Sequence, residues 1–160
     1  MKLRPLEEKD AIYMLEWMHD DNVSGYLGKN FAEMTIDNCK AFIANAKTDE
    51  DNIHFAITDD SDEYMGTISL KNIDYNNKRA EYAISCRTKA MGKGFAAFAT
   101  EELFKIAKDK MGLELIYLNV YDYNIRAQKL YKKTGFTPVE SFEFIKEETD
   151  KRLLWFAKYL

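Results

Sequence analysis

The sequence predicts a mixed α/β domain with a mostly antiparallel sheet, and three observations carry that prediction. Apolar residues recur at three-and-four spacing up to Ala46 and alternate from Ile53 onward. The alternating stretches are joined by short polar turns, Asp59–Glu63 and Asp74–Asn77, which cannot house a crossover and so make antiparallel neighbours. A longer helical stripe then separates two further strands, as a crossover does. With 160 residues, 46% of them hydrophobic, the chain supports one packed core, so residues 1–160 are expected to form a single domain.

Met1 to Arg4 reads as an opening strand, and Pro5 fixes a bend after it. Ala11, Ile12, Leu15 and Met18 then form a helix stripe with Asp10 placed as its cap. The polar run Asp20 to Gly25 breaks that helix. Thr35 caps a second one, carried by Ile36, Cys39, Phe42, Ile43 and Ala46. Phe55 and Ile57, then Met65, Thr67 and Ser69, alternate as two strands, and a third runs from Arg79 to about Cys86. After Gly92 and Gly94, the residues Phe95, Phe98, Ala99, Leu103, Ile106 and Ala107 share a helix face, which Gly112 closes in a left-handed C-terminal position. Leu115, Tyr117, Asn119 and Tyr121 alternate in the next strand. Asn124 opens a helix that ends by Gly135, and two strands follow, one from Phe136 and one over Arg152–Tyr159.

Composition narrows the function classes. The net charge is -4 with lysines dispersed among acids, so no basic stripe is available to track a nucleic acid, although an acidic surface favours a cationic substrate. The first residues show no apolar signal core, and no run approaches the roughly 18 apolar residues that span a bilayer; a cytoplasmic protein away from membranes is expected. Cys39 and Cys86 lack a C-x-x-C pattern and are expected to be reduced. His19 and His54 have no cysteine or carboxylate at ligand spacing, so neither a metal nor a covalent enzyme intermediate is expected.

Met91-Gly92-Lys93-Gly94-Phe95-Ala96-Ala97 places two glycines at the mouth of a helix. Unpaired N–H groups and the helix dipole make an anion site there, and glycine provides the backbone angles that a cradle of successive amides needs. Taken alone, the loop suits a plain turn into a helix equally well. Gly92, Gly94 and Ala97 also satisfy the dinucleotide pattern G-x-G-x-x-G/A. However, they follow an antiparallel meander, five residues separate them from the preceding strand, and too little chain follows for a second nucleotide-binding half. No G-x-x-x-x-G-K-[ST] occurs, which argues against a P-loop.

These residues resemble the GNAT acetyltransferases, whose phosphate loop reads Q/R-x-x-G-x-G/A. Gly94 and Ala96 match, while Met91 stands where the family has Gln or Arg. Asn124, Ala127, Leu130, Tyr131, Gly135 and Phe136 reproduce the downstream pattern N-x-x-A-x-x-L-Y-x-x-x-G-F without a gap. The likeness reaches back through Glu81-Tyr82 to the opening Leu3-Arg4-Pro5-Leu6. It is nearest the branch with ribosomal-protein N-terminal, polyamine and amino-sugar acetyltransferases. The resemblance implies a twisted sheet of six to seven strands splayed in the middle, about four flanking helices, and acetyl-CoA as co-substrate.

An amine acceptor, with a reference pKa of about 10, must lose a proton before attack. Glu81, directly or through a water, is the candidate base; its competing reading is an ordinary ion-paired strand glutamate. The resemblance implies that N–H groups around Ile84, Ser85 and Cys86, freed by the splay, hold the pantetheine arm. Tyr131 resembles the family's general acid, although an aromatic on this helix stripe also suits a core. Asn124 reads both as a cofactor contact and as an N-cap. Ala127 completes the cofactor set, and of Lys129, Lys132 and Lys133 only Lys133 is assigned to the phosphates. Trp17, Tyr26, Leu27 and Tyr123 are the acceptor candidates, with His19 and Tyr75 near them. The expected acceptor is a small-molecule amine such as an amino sugar or a polyamine. The alternatives are a protein N-terminus as acceptor, a non-catalytic CoA sensor and an NAD-binding module. A monomer or a homodimer suits any of these.

Overall fold

A computed structural model describes residues 1–147 and 149–160. Seven strands carry the alternation read from the sequence: β1 (Lys2–Pro5), β2 (Ile53–Thr58), β3 (Tyr64–Asp74), β4 (Arg79–Cys86), β5 (Leu115–Tyr121), β6 (Thr137–Val139) and β7 (Leu153–Tyr159). They form one sheet in the order β1-β2-β3-β4-β5-β7-β6. Every neighbouring pair is antiparallel except β4–β5, which the helical crossover makes parallel.

The helices are α1 (Ala11–Met18), α2 (Asp21–Ser24), α3 (Ile36–Ala46), α4 (Phe95–Lys105) and α5 (Ile125–Lys133). Thr35 caps α3 in a reciprocal box with Asn38, as its position before the stripe predicts. One sequence expectation fails locally. Asp10 gives α1 no side-chain cap; its carboxylate receives Arg4 at 2.8 and 2.9 Å and the Glu7 N–H at 2.8 Å, so it ties the first strand to the first helix. The polar run ends α1 at Met18 as expected, and within it Asp20 accepts from the Asn22 N–H and starts the short α2. Gly112 is left-handed as expected (φ +66°), but a π-type turn over Ile106–Lys110 precedes it.

Strand alternation sends side chains to two buried clusters. One packs Ile68, Leu70, Tyr82, Ile116, Leu118 and Phe156 against Ala99 and Leu103 of α4 and Tyr131 of α5. The other packs Met14, Trp17, Cys39 and Ile43 of α1 and α3 against Ala56 and Tyr64. Each large apolar side chain so buried contributes about 1.5–3 kcal/mol, which is why the helices sit on the sheet.

Two features position the site. The β4–β5 ladder runs only through Arg79↔Leu115, Ala80↔Ile116 and Glu81↔Tyr117, whereas β4 stays paired with β3 to Cys86 and β5 with β7 to Tyr121. The sheet therefore opens between β4 and β5 beyond Glu81. Where β4 ends, buried Arg87 bonds Glu16 at 2.6 and 3.0 Å, Glu63 at 2.7 Å and the Tyr64 carbonyl at 2.9 Å. Those charge-assisted bonds fix the start of the glycine loop against α1 and the β2–β3 hairpin.

Candidate active site

Gly94, at the N-cap of α4, has φ +87°, and Gly92 has φ +72°. A Cβ on Gly92 would meet nothing within 4 Å, so glycine is required there by backbone angle and not by crowding. No side chain caps α4, and no N–H from Gly92 to Ala97 donates to an acceptor among the described residues. The loop presents a run of free donors at a helix N-terminus, the arrangement that binds phosphate.

A cavity of about 330 Å³ lies against these donors, walled by Met91, Gly92, Gly94, Phe95, Ala96 and Ala97 from the loop and by Ala127 and Lys133 from α5. Lys93 is exposed and does not line it, because the left-handed turn points that side chain outward. Lys129 and Lys132 are outside the lining as well. Met91 has a polar contact after all: its sulfur lies 2.9 Å from Arg126 Nη1, and Arg126 Nη2 donates to the Asn22 carbonyl at 3.0 Å. This pins a guanidinium at the cavity wall. The sequence reading passed over Arg126, although it sits inside the Asn124-x-x-Ala127 motif beside Met91's unfilled role.

Ile84, Ser85 and Cys86 form the wall where β4 has lost β5 as a partner. Asn124 Oδ1 accepts the Ala127 N–H at 3.2 Å and so caps α5 while facing the cavity. The Tyr131 ring packs against Tyr82, Phe136 and Phe156 at centroid distances of 5.7, 5.7 and 6.2 Å. Its hydroxyl makes no hydrogen bond among the described residues and faces the cavity. Burial, with a smaller effect from Cys86, raises the Tyr131 pKa above the ordinary tyrosine range. Burial likewise pushes the Cys86 thiol up to about 12, so it remains protonated.

A second cavity, about 530 Å³, adjoins the first. It shares Tyr26, Leu27, Ile84, Ser85, Asn124 and Tyr131 with the first. Glu81 lines it, and a bulge in β3 aims Asn72 at the carboxylate, Nδ2 to Oε2 at 2.8 Å. Trp17 lines it too and donates Nε1–H to the Tyr64 hydroxyl at 3.0 Å. Tyr123 does not: it is exposed and stacks on Tyr121 at 5.1 Å. His19 and Tyr75 are likewise outside this lining. Lys29, Lys71 and His54, all missed in the sequence, do line it. Strand register brings Lys71 directly opposite Glu81, and His54 Nδ1 lies 2.6 Å from Ser69 Oγ. Among the described residues no group of three or more His, Cys, Asp or Glu could hold a metal, and no helix is long and apolar enough to cross a membrane.

One cavity lined by unpaired amides thus meets another holding a carboxylate, with a tyrosine hydroxyl between them. Comparison with known proteins places the chain among acetyltransferases. The chain is 27% identical over 137 residues to spermidine N(1)-acetyltransferase of Escherichia coli K12, covering 86% of this chain and 73% of that one. It is 26% identical over 147 residues to the Vibrio cholerae spermidine N(1)-acetyltransferase, covering 92% and 83%. The crystal structure of spermidine N-acetyltransferase from Vibrio cholerae in complex with CoA and spermine superposes with a TM-score of 0.83 at 22% identity, over 99% of this chain and 94% of that one. The family model for the acetyltransferase (GNAT) domain matches residues 1–137. The chain belongs to the GNAT acetyltransferase family and is an acetyl-CoA-dependent N-acetyltransferase.

Proposed function

We propose that this chain passes the acetyl group directly from acetyl-CoA to the primary amine of a small molecule, with Glu81 and Tyr131 moving the protons. The observation that carries the reading is the junction of the two cavities at Ile84, Ser85 and Tyr131. The N–H groups of Gly92 to Ala97 hold the pyrophosphate, helped by Arg126 and Lys133, and the opened edge of β4 aligns the pantetheine arm. One unpaired β4 N–H polarises the thioester carbonyl as negative charge grows on its oxygen.

Glu81 takes a proton from the acceptor ammonium, directly or through water, and Asn72 holds the carboxylate in place. The free amine attacks the carbonyl carbon, the new C–N bond forms and the C–S bond breaks. Tyr131 gives its hydroxyl proton to the departing thiolate, and the nitrogen, positively charged once bonded to the acetyl carbon, releases its surplus proton through water to the Tyr131 oxygen, which restores the hydroxyl. Its raised pKa keeps the hydroxyl protonated at neutral pH, so the proton is in place when the thiolate departs.

The relatives named above act on spermidine, which makes polyamines the acceptor class with comparative support. Amino sugars are the other small-molecule class that suits a cavity of aromatic and hydroxyl side chains. The test is thiol release from acetyl-CoA with a panel of both kinds of amine. Release with at least one of them, lowered about 10²-fold or more in Glu81→Gln at neutral pH, is the expected result. Coenzyme A binding with no release for any amine would favour a sensor.

A further inference from the structure

Lys71 on β3 and Tyr117 on β5 flank Glu81 in the strand register, yet neither bonds its carboxylate. Among the described residues only Asn72 does, with Nδ2 donating to Oε2 at 2.8 Å, and Oε1 accepts from none. An unheld glutamate samples many rotamers, so this one bond fixes where the carboxylate points. Oε1 is the oxygen left to take a proton from an acceptor in the cavity that Glu81 lines.

Asn72 reaches Glu81 because the backbone is bulged there. Between the pairs Lys71↔Glu81 and Asp74↔Arg79, β3 places Asn72 and Ile73 opposite Ala80 alone. Asn72 is left-handed at φ +50°, a conformation that asparagine tolerates better than most residues but that still needs support. The loop between α3 and β2 supplies it. The Asn72 N–H donates to Asn52 Oδ1 at 3.0 Å, and the Ile73 N–H donates to the Asp51 carbonyl at 2.9 Å. Asn52 is fixed in turn by Asp49, whose carboxylate accepts the Asn52 N–H at 3.0 Å and its Nδ2 at 2.9 Å. We infer that Asp49, Asn52 and Asn72 form a positioning relay for the base, in which Asn52 holds the bulge and Asn72 aims Glu81 Oε1 at the acceptor. This rests on the reading of Glu81 given under Proposed function. A reacting group displaced by about 1 Å loses up to about 10²-fold in rate, which is why contacts this far from the acceptor matter.

The experiment measures kcat/KM by thiol release, with the fastest amine of the panel above, in Asn72→Gly, Asn52→Ala, Glu81→Gln and the double variant Asn72→Gly with Glu81→Gln. Asn72→Gly keeps the left-handed backbone, which glycine adopts readily, and removes only the amide. Asn72→Asp, which tolerates the same backbone and cannot donate, repeats the test should glycine loosen the strand. Each change at Asn72 is expected to lower kcat/KM about tenfold or more with KM for acetyl-CoA unchanged. Asn52→Ala is expected to lower it about threefold or more. Without the Glu81 carboxylate the relay has nothing to position, so Asn72→Gly should change the rate of Glu81→Gln by less than about twofold, whereas a merely structural role would cost the same factor in both backgrounds. Wild-type kcat/KM in Asn72→Gly or in Asn52→Ala, or an equal loss with and without the carboxylate, overturns the inference while leaving acetyl transfer intact. Wild-type kcat/KM in Glu81→Gln, or coenzyme A binding without thiol release for any amine, overturns the reading of the base and this inference with it.

Discussion

Replacing Tyr131 by Phe removes one oxygen and tests the acid role directly. That hydroxyl has no hydrogen-bond partner among the described residues, so its loss leaves no orphaned group. The ring contacts with Tyr82, Phe136 and Phe156 remain. Stability should change by under about 0.5 kcal/mol, a Tm shift of about 1–2 °C for a chain of this size. General acids contribute about 10²–10⁴-fold, and a thiolate, with a reference pKa near 8.5, needs the low end of that range. The expected loss is about 10²-fold in kcat, ~2.7 kcal/mol of barrier, with KM for acetyl-CoA little changed. Thiol release at saturating acceptor gives kcat, and a thermal melt confirms folding. Because burial raises the Tyr131 pKa, the wild-type rate should also show no alkaline decline from this group up to about pH 9.5, short of the ordinary tyrosine value near 10. Unchanged kcat in a variant with native Tm would refute the assignment.

Glu81→Gln should lower kcat/KM by about 10²-fold or more at pH 7, and the deficit should shrink as pH approaches the acceptor's own pKa of about 10, where free amine no longer needs a base; a pH profile for both forms checks it. Gly94→Ala forces a Cβ into a left-handed N-cap at a cost of about 1–2 kcal/mol, so coenzyme A affinity, read by titration calorimetry, should fall roughly 5- to 30-fold if the loop relaxes away from that geometry. Hydrogen bonds from Lys9 and Arg4 hold the Asp62 carboxyl well below its ordinary range. The unfolded chain therefore takes up that proton first, and the contribution of Asp62 is whole above about pH 4 and lost as pH falls through the lower folded value. Urea unfolding should show Asp62→Asn weaker than wild type at pH 7, with the gap constant down to about pH 4 and narrowing progressively below it.

Local chemistry made much of this site legible from residue order. Thr35 and Asn124 announce helix starts because a side-chain oxygen satisfies an N–H a few residues on, which needs no tertiary context. Gly92 and Gly94 announce a left-handed loop for a similarly local reason. Asp10 misled, since a carboxylate before a helix looks like a cap until Arg4 arrives from the strand to claim it. Lys93 keeps its N–H among the free donors of the loop, while its exposed side chain lies outside the cavity lining. Tyr123 and Tyr75 stand outside the cavity lining, Tyr123 stacked on Tyr121 and 6.0 Å from Tyr26 at the cavity wall, Tyr75 exposed.

The sequence alone determined the order of strands and helices, the antiparallel meander and the anion loop. All of these follow from interactions within a few residues, or from a periodicity that repeats along the chain. Tertiary structure alone decided where the sheet opens, that Arg126 reaches Met91, and that Lys71 and Lys29 share a cavity with Glu81. Register and splay are set by how whole elements pack. A shift of one residue in β3 would turn Lys71 to the other face and change the charge that an acceptor meets.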